Sequence, residues 1–214
     1  MYFNDNNYFF HGIMFHHFHD DKFHKRGEGS ISKDDFYDLI KFIGKENILD
    51  ADIFFEKFKN KQLKDNEVCL TFDDGSKSQI DVALPVLEEL KIKGFFFPYS
   101  SLFDGKPDNL EIFRYFRINY FNNIEEFYKN FYSFLDKDLN DFFFSQKENM
   151  ENFNFKSPFY SIEDVKFRFV RDLFLQKEDY EEIMFSMMQE KSFVAKDFHT
   201  KLFFNDNDLK KIDN

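Results

Sequence analysis

The sequence predicts an α/β fold. Two observations point there. Residues 67–98 read as strand, helix, strand, and such a unit favours parallel strands joined by a crossover. Asp73-Asp74-Gly75-Ser76 breaks the first of those strands abruptly, and strand C-terminal ends are where α/β folds place their sites. A third observation qualifies the class. From Asp108 to about Glu190 the apolar residues recur at helical spacing, which reads as a helical insertion in the α/β frame.

Taken in order, Gly12 to Phe18 is an apolar and aromatic run expected to form a strand. A polar loop with glycines follows, Asp20 to Ser30. Ser32 then has the chemistry of an N-cap, with Asp35 three residues on and Phe36, Leu39, Ile40 and Ile43 at helical spacing. Asp50 is placed to cap a second helix carrying Ile53, Phe54 and Phe58. Glu67 to Phe72 is a short buried strand. The helix after the turn carries Leu84, Leu87 and Leu90, and Pro85 fits best at its first position, where a missing N–H costs nothing. Lys91 to Lys93 connect to a second strand, Gly94 to Pro98. Phe113, Phe116, Tyr120, Phe127, Phe131 and Phe134, then Ile162, Val165, Phe169 and Phe174, then Tyr180, Ile183 and Met187, mark amphipathic helices. Asn205 or Asp206 caps a last short helix through Leu209 and Ile212.

Composition bounds the function. The chain has 214 residues with 43% hydrophobic, enough for a sizeable core. Its 36 Phe and absent Trp suggest that Phe fills core positions where Leu or Ile would also serve. A net charge of −11 repels nucleic acid and anionic membrane surfaces, whereas a neutral sugar polymer is indifferent to it. The single cysteine, Cys69, sits in the apolar run Val68-Cys69-Leu70 and reads as a buried structural thiol. Met187-Met188 reads as core filling. No run is long enough to span a membrane, and Met1 to Asp5 lacks the basic start and apolar stretch of an export signal, so a cytoplasmic location is expected.

Asp73 and Asp74 are the chemical candidates. Neighbours on an extended chain point to opposite sides, so the pair does not face itself as glycosidase carboxylates do. It can divide roles: one carboxylate binds a cation while the other orients or deprotonates a water. Gly75 gives the turn its freedom. Phosphoryl transfer of the Asp-x-Asp kind is set aside, because Phe72 stands where the first Asp would be needed. His16, His17, His19 and His24 crowd one short region, and on a strand His17 and His19 would share a face able to chelate a metal. Without matching carboxylate spacing, the structural reading of that cluster is preferred. Asn205-Asp206-Asn207-Asp208 lacks the Gly and terminal Glu of a calcium loop and reads as a helix start.

The stretch Val68 to Tyr99 resembles the opening of the NodB-homology polysaccharide deacetylases, carbohydrate esterase family 4. The likeness rests on Cys69-Leu70-Thr71-Phe72-Asp73-Asp74-Gly75, the helix through Leu84-Pro85-Val86-Leu87, and Gly94-Phe95-Phe96-Phe97. Ile13-Met14-Phe15-His16 and Gly29-Ser30-Ile31-Ser32 are similar to the family's lead-in. The resemblance implies part of an irregular, TIM-like (β/α) barrel of NodB type, with 1–104 its N-terminal part, 105–192 a largely helical insertion and 193–214 a return toward the barrel. It implies hydrolysis of N-acetyl groups on a polysaccharide or lipopolysaccharide-type glycan. Asp73 would be the general base and Asp74 a ligand of a divalent metal, zinc by preference. The metal's other family ligands form a His-x-x-x-His motif. The only histidine after Asp74 is His199, and position 203 is Phe203. The chain is therefore expected to be an N-terminal part that ends before the metal motif. The competing expectation is a non-catalytic, degenerate domain that binds a glycan or a protein partner.

Overall fold

The computed structural model describes residues 11–27, 29–135, 138–158 and 160–213. Met1 to Asp5, read above for an export signal, lie outside them. The chain divides into two compact units. The first comprises Met1–Arg26, Ser30–Asp108 and His199–Asn214, the second Gly27–Gly29 and Asn109–Phe198.

The first unit is mixed α/β. Strands β1 (Gly12–Phe15), β4 (Cys69–Asp73) and β5 (Phe95–Phe97) form a parallel sheet in the order β1-β4-β5. Register puts Phe15 beside Phe72 and Phe72 beside Phe96. That row belongs to the core face. Leu70 and Phe72 are fully buried there, together with Phe36 and Ile40 of α1 (Lys33–Ile43) and Val86 and Leu87 of α3 (Leu84–Leu90). The alternate row is covered at Cys69, which is buried, and at Phe95, whose ring meets Phe54 edge-on at 6.1 Å, and it opens toward its C-terminal end. Met14, Thr71 and Phe95 are in register, as are Asp73 and Phe97, and Met14 and Phe97 are more than half exposed. Parallel sheets are ordinarily covered on both faces, so the exposed end of this apolar face is unusual.

Two expectations need correction near the N-terminus. The run Gly12 to Phe18 is not one strand. It breaks at His16-His17, and β2 (Phe18–His19) pairs in parallel with β3 (Ile31–Ser32) instead. The cause lies in the next element pair: the Phe18 amide donates to Ser78 Oγ at 3.1 Å, and the His16 carbonyl accepts from the Gln79 side chain at 2.8 Å. Ser32 does cap α1, with a reciprocal bond from its own amide to Asp35. Asp50 stands at the start of α2 (Ala51–Lys59) but caps nothing there; its Oδ1 accepts from the Lys93 amide at 2.9 Å. It ties the helix start to the approach of β5.

Pro85 also departs from expectation. The helical run begins at Lys77, and residues Gln79–Ala83 form a π-helical segment before α3. The Leu84 amide bonds back to the Gln79 carbonyl, the five-residue step of a π turn. Pro85 cannot donate and would crowd the carbonyl four residues earlier in a regular helix. Widening the turn just before it relieves that conflict. Cys69 is buried on β4, and desolvation pushes its thiol up to about 11, as expected of an inert structural cysteine.

The second unit is helical. It holds α4 (Asn109–Asn119), α5 (Ile124–Ser133), α6 (Asn140–Ser145), α7 (Lys147–Lys156), α8 (Ile162–Phe169) and α9 (Lys177–Glu190). Phe113, Phe116, Phe127, Phe131, Phe167, Met184 and Met187 are buried, with Phe127, Phe131 and Phe167 in mutual ring contact. Met188 is buried beside Met187, in keeping with core filling. Back in the first unit, α10 (His199–Leu202) precedes α11 (Asp206–Ile212), and Asn205 caps α11 in a reciprocal box with Asp208. Among the described residues, no helix is long and apolar enough to cross a membrane.

Candidate active site

Strand β4 delivers Asp73 at its last position, and the chain then reverses through two left-handed residues, Asp74 (φ +73) and Gly75 (φ +65). Asp tolerates that region better than most residues, because its short side chain suits turns. At Gly75 nothing else fits. An added Cβ would lie 2.8 Å from Pro98 Cβ and 2.9 Å from Leu102 Cδ1. Gly75→Ala combines this overlap with left-handed strain, so we expect a loss of about 2–4 kcal/mol. Chemical denaturation checks it, and a loss under ~1 kcal/mol would show that the turn can relax.

The turn is anchored from the C-terminal segment. The Phe204 amide donates to the Gly75 carbonyl at 2.9 Å, and Ser76 forms an antiparallel bridge with Phe203. Lys77 pairs with Asp208 at 2.6 Å; that carboxylate is almost wholly buried and also accepts from the Asn205 amide. Behind the turn the polar groups are packed inward. Ser76 Oγ and Ser78 Oγ are 2.8 Å apart, and Gln79 is fully buried.

His16 is the histidine that approaches Asp74. Its Nε2 lies 3.9 Å from Asp74 Oδ2, with both residues partly buried, Asp74 the more so. His17 stacks against it at 6.1 Å. The other two histidines are committed elsewhere: His19 Nδ1 shares a hydrogen bond with Ser30 Oγ at 3.0 Å, and His24 Nε2 with Asp81 Oδ2 at 2.9 Å. The four therefore do not gather. Among the described residues no group of three or more His, Cys, Asp or Glu side chains is placed to hold a metal ion. Asp74 and His16 offer two donors, whereas catalytic zinc sites take three protein ligands and an open position. The described residues do not complete a metal centre.

The chemistry available is thus a carboxylate pair at a strand end with an imidazole beside it. Such a group can hold a polar substrate and move a proton at Asp73. Gln79, Ser78 and the Lys77–Asp208 pair were not singled out from the sequence. The contacts that tie them to Phe18, His16 and Asp208 join residues 60 to 131 positions apart, and no local spacing signals those.

Residues 60–115 match the family model described as polysaccharide deacetylase, and the match includes the Asp73-Asp74 turn. A solved structure of a de-N-acetylase from Aggregatibacter actinomycetemcomitans is similar at 21% identity and a TM-score of 0.37. That similarity covers 44% of this chain and 38% of the other, so the chain spans well under half the length of that relative. No curated protein matches the chain.

Proposed function

We propose that this chain carries the carboxylate part of a deacetylase site that removes N-acetyl groups from a polysaccharide or lipopolysaccharide-type glycan. The observation that carries the reading is the family match over residues 60–115, which includes a turn that presents Asp73 and Asp74 at the C-terminal end of the central parallel strand. In this reading Asp73 takes a proton from a water. The water oxygen bonds to the acetyl carbonyl carbon, the C–N bond breaks, the proton passes to the departing amine, and acetate leaves. Asp74 is read as one ligand of a divalent cation, zinc by preference, with His16 near enough to assist in holding it. The described residues stop at those two donors, so the chemistry assigned here stays with the carboxylates.

An irregular barrel is the proposed setting. The row Met14, Thr71, Asp73, Phe95 and Phe97 has the alternation of an inward-facing barrel wall, and β1 and β5 are the outer strands of the three-stranded sheet among the described residues.

Acetate release from N-acetylated oligosaccharides, with added zinc or cobalt, tests the reading. Asp73→Asn is expected to lower kcat by about 10²–10⁴. Equal rates in both proteins would remove Asp73 as the base. The second reading, a non-catalytic domain that binds a glycan or protein partner, is favoured by the two-donor count at Asp74. Stoichiometric zinc binding lost in Asp74→Ala would count against it.

A further inference from the structure

We propose that Gln79 is a positioning residue for the candidate site, a side-chain clamp that replaces strand pairing between β1 and β4 where the site begins. The inference rests on the reading of Asp73 and Asp74 as the site carboxylates.

The β1–β4 ladder runs from Gly12 beside Cys69 to Phe15 beside Phe72 and stops there. The next residues in register would be His16 and Asp73. Instead of pairing with one another, both carbonyls accept from Gln79 Nε2, at 2.8 Å for His16 and 2.5 Å for Asp73. A primary amide has two N–H donors, and here each meets one strand end. Two carbonyl acceptors also fix which way the amide faces, since its oxygen would repel them. The Gln79 oxygen is buried and has no partner among the described residues. An unsatisfied buried acceptor is unfavourable, so the side chain is held by its amine end alone.

The consequence is geometric. Gln79 lets the two strand ends separate by the width of an amide and still be joined. His16 and Asp74, each adjacent to this pair of carbonyls, then bring their side chains to 3.9 Å. The neighbouring bond from the Phe18 amide to Ser78 Oγ secures the chain just beyond His16. Asn at this position is one methylene too short to reach both carbonyls, and Glu would set a carboxylate against two carbonyl oxygens.

Gln79→Met keeps the shape, removes both donors and removes the unsatisfied oxygen, so the fold should survive. Gln79→Asn serves as the second variant, with the amide retained but shortened. Three quantities are read in the full chain: the carbonyl ¹³C shifts of His16 and Asp73, exchange of the Phe18 and Phe204 amides, and acetate release. In both variants we expect those carbonyl resonances to move and those two amides to exchange about tenfold faster, with central-strand amides unchanged. Turnover should fall about 10- to 100-fold at unchanged KM. Exchange at wild-type rates, or acceleration of the whole sheet in step, overturns the clamp. Altered exchange with wild-type kcat overturns its positioning role. A wild-type chain that releases no acetate while the exchange effect is present sinks the deacetylase reading and leaves the clamp standing.

Discussion

Phe72→Ala is expected to destabilise the first unit strongly, and the candidate site with it. Phe72 lies fully buried at the penultimate position of the central strand, one residue before Asp73. Its ring stacks on Phe96 at 4.6 Å and Phe15 at 5.5 Å, and meets Phe36 edge-on at 6.1 Å. Gly94 has no side chain at the approach to β5, and a Cβ there would come within 2.8 Å of the Phe72 ring. The pocket around this ring is built from both neighbouring strands and α1, so it collapses poorly when emptied. Removing a buried Phe costs about 3–5 kcal/mol, against a total stability of about 5–15 kcal/mol for a domain. The melting midpoint should fall by roughly 10–20 °C. Phe72→Leu retains more of the volume and should cost clearly less. A Phe72→Ala protein that melts within ~2 °C of wild type would show that the aromatic cluster is not the core it resembles.

The same strand shows what the sequence made legible. Strand β4, the turn and β5 announced themselves through a short apolar run, an Asp-Asp-Gly break and a second aromatic run, each a local signal. The parallel pairing followed from the crossover between them. The cap at Ser32 and the cap at Asn205 were equally local, resting on side chains three residues apart. What stayed hidden depends on long-range partners. Nothing in Gly12 to Phe18 reports that Ser78 and Gln79 will draw off the hydrogen bonds of His16 and Phe18 and split the strand. Nothing near Asp50 reports that its carboxylate will bond the Lys93 amide rather than its own helix. Pro85 was visible, but its effect on the preceding turn depended on where the helix began.

The candidate site divides along the same line. Asp73 and Asp74 are neighbours in sequence and share a turn whose geometry Gly75 betrays. The approach of His16 to Asp74 joins residues from two strands and needs the sheet order to be known. The histidine cluster looked like a unit only because its members are close in sequence. In space His19 and His24 turn to Ser30 and Asp81. Proximity along the chain overstated their kinship.

Asp164 carries the second large expected effect, in the helical unit. Its carboxylate is completely buried, yet it is surrounded by donors: Tyr128 OH at 2.9 Å, Arg168 Nε at 2.5 Å and Arg117 Nη1 at 3.6 Å. Arg117 is itself buried, its guanidinium 5.3 Å from the Phe167 ring centre and 5.9 Å from that of Phe127. Desolvating two charges is costly, and their attraction together with the extra hydrogen bonds offsets that cost only while both are present. Asp164→Ala strips Arg117 of this counter-charge inside an aromatic core and leaves the Tyr128 hydroxyl without its acceptor. A loss of about 3–5 kcal/mol is expected. Arg117→Met in the same protein should recover part of it, because an apolar pair of similar volume needs no counter-charge. Urea unfolding of the two single variants and the double variant measures the coupling, expected at roughly 1–3 kcal/mol. Strict additivity would mean that Arg117 and Asp164 are solvated independently, and that the aromatic core, rather than this ion pair, fixes how α4 and α8 pack.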